Sequence, residues 1–431
     1  LIDHTLHGLP KYGDGIGLHR VRFLMEACGL DPDVIATKAI AVTGSNGKGS
    51  TARIAAELLL EAGGPVGLFT SPHLYRYNER FRIDGEPVDD VSIEGAMDRV
   101  LRAVQAWRSG HDDAVGAFEA QFVVALELLR QCRWLVLEAG IGGRYDPVRL
   151  AHAPVSALVS LDLEHTELLG QTRLEIACDK LDATARGGIA VVGPDGLPLR
   201  QPLSTYAELT GIGLRFLAPN AWRQRGLREG RQLFDIGMVH DLTSSLVGEH
   251  QIANHAVALA LVEERLRLSG CSPLSQPGVR VAISRVSWPG RLETISRDPL
   301  VVIDVGHTPE GVQAALSGFR ALSTGRKALL VTGGSRNKNV RAMLDILVPA
   351  FDAVCCTAAH HNGLPASEVA DLVRALRPGA GIAVCNSIAE AARHVRGLTP
   401  DVPVYVAGGL FLAAEFAEAW RGGDPSELRF F

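Results

Sequence analysis

The run Gly44-Ser45-Asn46-Gly47-Lys48-Gly49-Ser50-Thr51 holds the residue types that phosphate handling requires. Glycines let backbone N–H groups approach phosphate oxygens, and a helix N-terminus adds favourable potential. Lys48 supplies a mobile cation, while Ser50 or Thr51 can cap the helix and reach a magnesium ion. The run is not a strict Walker A sequence: Val42 stands at the first-glycine position, and Gly49 separates Lys48 from Ser50. Its bland alternative is a glycine-rich turn with a surface lysine. Glu138 ends an apolar run, and ligands gather at the carboxyl ends of strands in α/β sheets. The bland alternative there is a solvated loop acid. His165 alone would be an ordinary polar histidine, but its Glu164-His165-Thr166-Glu167 setting marks it as a ligand. His250 and Asn254 lie on one face of a helix start, where a cap is the simplest role.

These residues need a scaffold, and the flanking pattern supplies one. The apolar run Ala39–Thr43 leads into the loop, and a helical pattern over 52–60 leads out of it. Further apolar runs at 66–70, 134–138, 155–159 and 189–192 alternate with helical stretches, notably 93–106 and 118–131. That alternation predicts a parallel sheet wrapped by helices. Over 214–247, short strands with glycine turns predict an antiparallel appendage, followed by a helix at 252–268. The basic, Pro/Gly-containing stretch 284–291 reads as a boundary. A second alternating series follows it, at 300–304, 328–332, 353–357, 382–385 and 402–407. The expected fold is α/β. An N-terminal P-loop-type parallel-sheet ATPase domain, residues 1–285, carries the small antiparallel appendage, and a C-terminal Rossmann-like domain covers 290–431.

Composition agrees with this and excludes other classes. A chain of 431 residues exceeds one ordinary core and suggests two or three domains. With 43 basic and 48 acidic residues the net charge is −5, against a nucleic-acid binder relying on broad phosphate neutralisation. No uninterrupted apolar stretch is long enough to span a membrane. Leu1-Ile2-Asp3-His4 lacks the charged-then-apolar layout of a leader. The seven cysteines are scattered without paired spacing, so reduced thiols and a cytoplasmic location are expected.

Thr43–Thr51 resembles the ATP loop of the Mur ligase superfamily, and most nearly that of its folylpolyglutamate synthase/dihydrofolate synthase branch. Seven further segments stand in the family's order. They are Gly17-Leu18-His19-Arg20, Ser71-Pro72-His73-Leu74 through Tyr77-Asn78-Glu79-Arg80-Phe81-Arg82, and Glu138-Ala139-Gly140-Ile141-Gly142-Gly143-Arg144. Then come His165-Thr166-Glu167-Leu168-Leu169-Gly170 with Lys180, His250-Gln251-x-x-Asn254 with Trp288-Pro289-Gly290-Arg291, and Asp304-Val305-Gly306-His307-Thr308-Pro309.

The resemblance implies an ADP-forming ligase that activates a carboxylate as an acyl phosphate before an amine attacks. It implies ATP, two magnesium ions, a pteroate or folate as acid and L-glutamate as amine, with no nucleic-acid or membrane partner. Thr43, Gly44, Asn46, Gly47, Lys48, Gly49, Ser50 and Thr51 are implied at the triphosphate, Asn254 near the adenine, Asp304 near the ribose, and His307 on the nucleotide side. Arg291 is implied as a phosphate contact from across the cleft. Ser50, Ser71 and Glu138 would hold one magnesium and His165 the other. Lys180 stands where the family often carries a carbamylated lysine, an anionic ligand; a helix-surface lysine is its bland alternative. Lys48, His165, Lys180 and Arg291 make up the implied catalytic group. Tyr77, Arg80, Phe118, Arg144, Asp146 and Arg149 are the implied acid-binding residues.

The departures concern the acid more than the phosphates. Tyr145-Asp146-Pro147-Val148-Arg149 replaces the family's usual Asp-Ala-Thr-Asn continuation, and Gly116-Ala117 replaces a Thr- or Ser-containing approach. Leu181-Asp182-Ala183, His307-Thr308-Pro309, Ser335-Arg336-Asn337-Lys338-Asn339 and Gly408-Gly409-Leu410 also differ from the family pattern. Arg149 offers a guanidinium to a carboxylate, and Pro147 stiffens the loop. A paralogue acting on another carboxylic acid is therefore the alternative reading. A nucleotide-binding subunit without catalysis conflicts with the retained Lys48, Glu138, His165, Lys180 and Arg291. A P-loop kinase or hydrolase would need an aspartate pair after a strand and gives the second α/β series no role.

Overall fold

The computed structural model describes residues 8–11, 13–336, 338–399 and 401–430. Leu1–His4, read for a leader, and Asn337 of the departing run lie outside them. The first sheet is built from β1 (Ala39–Thr43), β2 (Val66–Phe69), β3 (Phe81–Ile83), β4 (Glu86–Pro87), β5 (Trp134–Glu138), β6 (Val155–Leu158), β7 (Ile189–Val192) and β8 (Gly213–Phe216). Their order is β4-β3-β2-β5-β1-β6-β7-β8. The six strands from β2 to β8 run parallel, while β3 and β4 form an antiparallel edge.

Every residue of β1 is buried because helices cover both faces of the sheet. Side chains alternate along a strand, so Ala39 and Ala41 enter one core while Ile40 and Val42 enter the other. The first core lies under helices Asp90–Arg108 and Ala117–Leu129, the second under Lys48–Glu61 and Glu249–Leu268. These are the four helices read from the sequence, with ends moved by a few residues.

One assignment is corrected. The segment 213–216 is not part of the appendage; β8 pairs parallel with β7 and closes the large sheet. The appendage is the antiparallel trio β9 (Trp222–Arg228), β10 (Arg231–Ile236) and β11 (Val239–Ser244). Gly213 and the half-buried residues after it look like a short appendage strand because an edge strand buries only one face.

The second sheet comprises β12 (Glu293–Arg297), β13 (Leu300–Asp304), β14 (Leu329–Thr332), β15 (Ala353–Cys356), β16 (Gly381–Val384) and β17 (Val404–Ala407), ordered β12-β13-β17-β14-β15-β16. Only β12 is antiparallel within it. Val301 and Ile303 enter one core and Val302 the other, again by strand alternation. Among the described residues no helix is long and apolar enough to cross a membrane.

Candidate active site

The carboxyl ends of β1, β2, β5 and β6 converge where the phosphate loop leaves β1. Gly44 (φ +146°) passes so near the neighbouring loop that a Cβ would lie 3.1 Å from the Ser160 nitrogen. Gly47 sits in the left-handed region at φ +79°, where a Cβ would meet the Asn254 Oδ1 at 2.5 Å. Asn46 is tied to the loop after β6: its amide donates to Ser160 Oγ at 2.7 Å and its Nδ2 to Asp162 Oδ2 at 3.1 Å. Thr43 Oγ1 donates to the Ala157 carbonyl at 2.8 Å. Lys48 Nζ folds back onto the Gly44 and Ser45 carbonyls, at 2.8 and 3.3 Å.

The expected hydroxyl cap is absent. Gly47 occupies the N-cap of helix Lys48–Glu61 and makes no side-chain cap bond. Ser50 Oγ and Thr51 Oγ1 are instead buried without a hydrogen-bond partner. Buried hydroxyls in native proteins are normally satisfied. Two orphans in the first turn of a helix, behind a glycine loop and a lysine, fit a phosphate and its divalent ion. Among the described residues no three His, Cys, Asp or Glu side chains form a ready metal cluster. Magnesium characteristically retains waters and phosphate oxygens, so a site of hydroxyls and one carboxylate suffices.

Glu138, the last residue of β5, is 4% exposed and accepts the Ser71 amide at 3.0 Å. Burial pushes its carboxyl up to about 7, against the pull of Lys48, that amide and Arg291. One cavity is lined by Gly49, Ser71 and Glu138 on the first-sheet side and by Trp288, Arg291 and Val305. Trp288 caps Gly49, whose Cβ would lie 3.2 Å from the indole Nε1. Thr308 Oγ1, at the N-cap of helix Pro309–Leu322, reaches Asn46 Oδ1 at 3.4 Å. The two sheets thus meet over the phosphate loop.

Lys180 is not on a helix surface. It is 1% exposed on helix Arg173–Leu181, and its Nζ donates to Glu164 Oε1 at 2.9 Å. Burial, then Lys48, lowers its pKa. The glycines of the Glu138–Arg144 run explain how that helix comes so close. A Cβ on Gly143 would lie 2.6 Å from the Lys180 carbonyl oxygen and 2.8 Å from that of Asp179. The Gly143 amide also donates to Asp179 Oδ1 at 2.9 Å. His165 adopts φ +46° at the start of the short helix Thr166–Leu169, and its ring is 39% exposed, with Nδ1 3.9 Å from Glu167 Oε1. Burial lowers its pKa, against Glu164 and Glu167, which favours the neutral ring that ligates metals.

Several implied residues are engaged by the protein itself. Asn254 is buried against Gly47, its Nδ2 donating to Gln251 Oε1 at 3.0 Å. Asp304 accepts the Leu292 and Gly306 amides at 3.0 and 2.7 Å. His307 lies just beyond, Nδ1 3.3 Å from the Val305 carbonyl. Arg144 is paired with Asp182 at 2.6 Å and bonded to the Tyr206 hydroxyl at 3.1 Å. Buried Asp146 accepts the amides of Gly140, Ile141 and Val148. Arg80, also buried, donates to His73 Nδ1 and Gln121 Oε1, both at 2.8 Å. Tyr77 Oη accepts from Gln121 Nε2 at 2.9 Å. The Phe118 ring packs on Gly140. Arg149 is exposed and donates to the Arg144 carbonyl at 2.9 Å. Sequence reasoning missed Glu164 as the Lys180 partner, Asp179, and Trp288 as the cover of Gly49. The paired glycines at 142–143 were the one signal for the first two.

Comparison with known proteins gives a consistent picture. A family model described as "Mur ligase, glutamate ligase domain" matches residues 290–410. The folylpolyglutamate synthase of Lacticaseibacillus casei is 31% identical over 97% of both chains. The dihydrofolate synthase/folylpolyglutamate synthase of Bacillus subtilis is 28% identical, covering 81% of this chain and 82% of its own. Among solved structures, Mycobacterium tuberculosis folylpolyglutamate synthase complexed with ADP and AMPPCP superposes with a TM-score of 0.85, at 25% identity over 98% of each chain. A bifunctional folylpolyglutamate synthase/dihydrofolate synthase with Mn, AMPPNP and L-glutamate bound gives 0.80, at 27% identity over 96% of each chain.

Proposed function

Because the chain belongs to the folylpolyglutamate synthase/dihydrofolate synthase family, and so to the ATP-dependent, ADP-forming ligases, we propose that it joins L-glutamate to a pteroate or folate in the cytoplasm. The observation that carries this reading is the single cavity in which Gly49 of the phosphate loop, Ser71 and Glu138 face Arg291. In the proposed division, residues 1–285 hold the nucleotide phosphates and 290–431 close over them.

The ATP triphosphate lies along Gly44–Ser50, with Asn254 toward the base and Asp304 and His307 toward the sugar. A carboxylate oxygen of the acid attacks the γ-phosphorus, and the bond to the ADP oxygen breaks. Lys48 and Arg291 neutralise the charge that spreads over the transferring group. The glutamate nitrogen then attacks the acyl carbon, phosphate leaves, and the nitrogen gives up a proton as the amide forms. Divalent metal, held by Ser50, Ser71 and Glu138 and near His165, supplies charge neutralisation along the phosphates. Tyr77, Phe118 and Arg149 face the acid, while Arg80, Arg144 and Asp146 shape the loops that carry them.

Lys180 is proposed as a carbamate when the site is loaded. Burial favours the neutral amine, which can add to carbon dioxide with loss of a proton. Glu164 then turns aside. Density at Nζ in crystals grown with bicarbonate, ADP and magnesium tests this, and a bare ammonium still on Glu164 would contradict it.

Acid-dependent ADP release with dihydropteroate, folate and a wider acid panel, glutamate being the amine, tests the substrate reading. Turnover confined to non-pterin acids would favour the paralogue alternative. Arg149 supports that alternative, because it has no ion-pair partner among the described residues and stands where the family pattern departs.

A further inference from the structure

The segment Leu428–Phe430 follows the last helix of the second sheet's body, yet it ends against the loop 71–80 of the first. Phe430 is 1% exposed. Its ring stacks on His73 at 6.4 Å and meets His361 and Phe411 edge-on at 4.8 and 4.7 Å. The backbone takes part as well: His73 Nε2 bonds to the Arg429 carbonyl, and Arg80 Nη2 donates to the Phe430 carbonyl at 3.2 Å.

The protonation pattern of this junction is settled by its partners. Arg80 Nε donates to His73 Nδ1, so Nε2 carries the proton and donates to Arg429. Arg80 Nη1 continues to Gln121 Oε1, and Gln121 Nε2 to Tyr77 Oη. This buried polar chain has its donors and acceptors matched, which makes it rigid and directional. Beside it, Leu74 enters the core of the second body, and Glu79 gathers the amides of Leu74, Tyr75 and Arg76 at 2.9–3.0 Å. The same loop begins at Ser71, whose amide holds Glu138.

We propose that Leu428–Phe430 is a clasp that fixes the loop 71–80 across the two bodies, with Phe430 and His73 as positioning residues for Ser71 and Glu138. The kinetic part of this inference rests on the ligase reading; the structural part does not.

The test compares Phe430→Ala, Phe430→Leu and His73→Gln with the unaltered chain. Hydrogen exchange of the ADP-bound protein should quicken over 71–80 in Phe430→Ala and His73→Gln, remain unchanged over 44–51, and recover in Phe430→Leu. The double variant should be no worse than the more severe single one, since both break one junction. In the ligase assay kcat should fall roughly 10- to 100-fold, with KM for ATP within about two-fold. Unchanged exchange over 71–80 overturns the clasp, as does uniform acceleration that includes 44–51. Exchange that shifts as expected in a protein with no ligase turnover leaves the clasp standing and overturns the ligase reading instead.

Discussion

Substituting Gly143 by alanine should separate two elements that the site needs together. The added methyl would lie 2.6 Å from the Lys180 carbonyl oxygen and 2.8 Å from the Asp179 oxygen, both backbone atoms that no rotamer change can move. An ordinary C···O contact is about 3.3–3.6 Å, so the Glu138–Arg144 run and the end of helix Arg173–Leu181 must part by roughly 0.7–1 Å. Overpacking of this kind costs about 1–3 kcal/mol. The catalytic cost is larger than the loss of stability suggests, because a misplacement near 1 Å can lower turnover about 100-fold. The displacement moves Lys180 relative to Glu138 and weakens the Gly143 amide bond to Asp179. It leaves the phosphate loop untouched. Gly143→Ala should therefore lose about 10- to 100-fold in kcat while calorimetry finds ADP affinity within about two-fold of the original. Unchanged kcat in the folded variant would refute the packing argument. An equal loss of ADP affinity would mean that the damage spreads beyond this junction.

Three further outcomes follow from the same geometry. In the proposed mechanism Lys48→Ala removes a cation from the transferring phosphoryl group, and steady-state kcat should fall about 100- to 1000-fold with little change in the thermal midpoint; retention of turnover would exclude the proposed role. Glu138, raised to about 7 in the metal-free protein, contributes stability that is present below its unfolded pKa near 4.5 and lost as pH rises through about 7. Denaturant titrations of metal-free Glu138→Gln should accordingly gain on the order of 1–3 kcal/mol over the original chain at pH 8, and nothing at pH 4; a pH-independent difference would contradict that sign. Breaking the Lys180–Glu164 pair with Lys180→Ala leaves a largely buried carboxylate alone, and urea unfolding should report a loss of about 1–3 kcal/mol; no loss would indicate that Glu164 reaches solvent freely.

Local pattern revealed what local forces decide. The run Ala39–Thr43 is apolar on both faces, so it had to be an inner strand, and the glycines after it had to turn into a helix. β8 was misplaced because an edge strand of a parallel sheet and a strand of a small hairpin bury similar patterns. The burial of Lys180 depends on how closely the loop at Gly142 and Gly143 lets a helix approach, a distance that no periodicity encodes. Arg80 sits in a substrate-like motif but spends its donors on His73, Gln121 and Phe430, the last of them 350 positions away. Networks closed by such distant residues are set by tertiary packing, and only the folded chain displays them.

The central claim is that one cavity couples γ-phosphoryl transfer to amide formation through the substrate's own carboxylate. Labelling both carboxylate oxygens of the acid with 18O, and following ATP turnover with magnesium and L-glutamate, tests it most directly. The account predicts one labelled oxygen in each phosphate released, with ADP, phosphate and amide formed in equal amounts and none without the acid. Unlabelled phosphate, or ADP released at the same rate without acid, would contradict it.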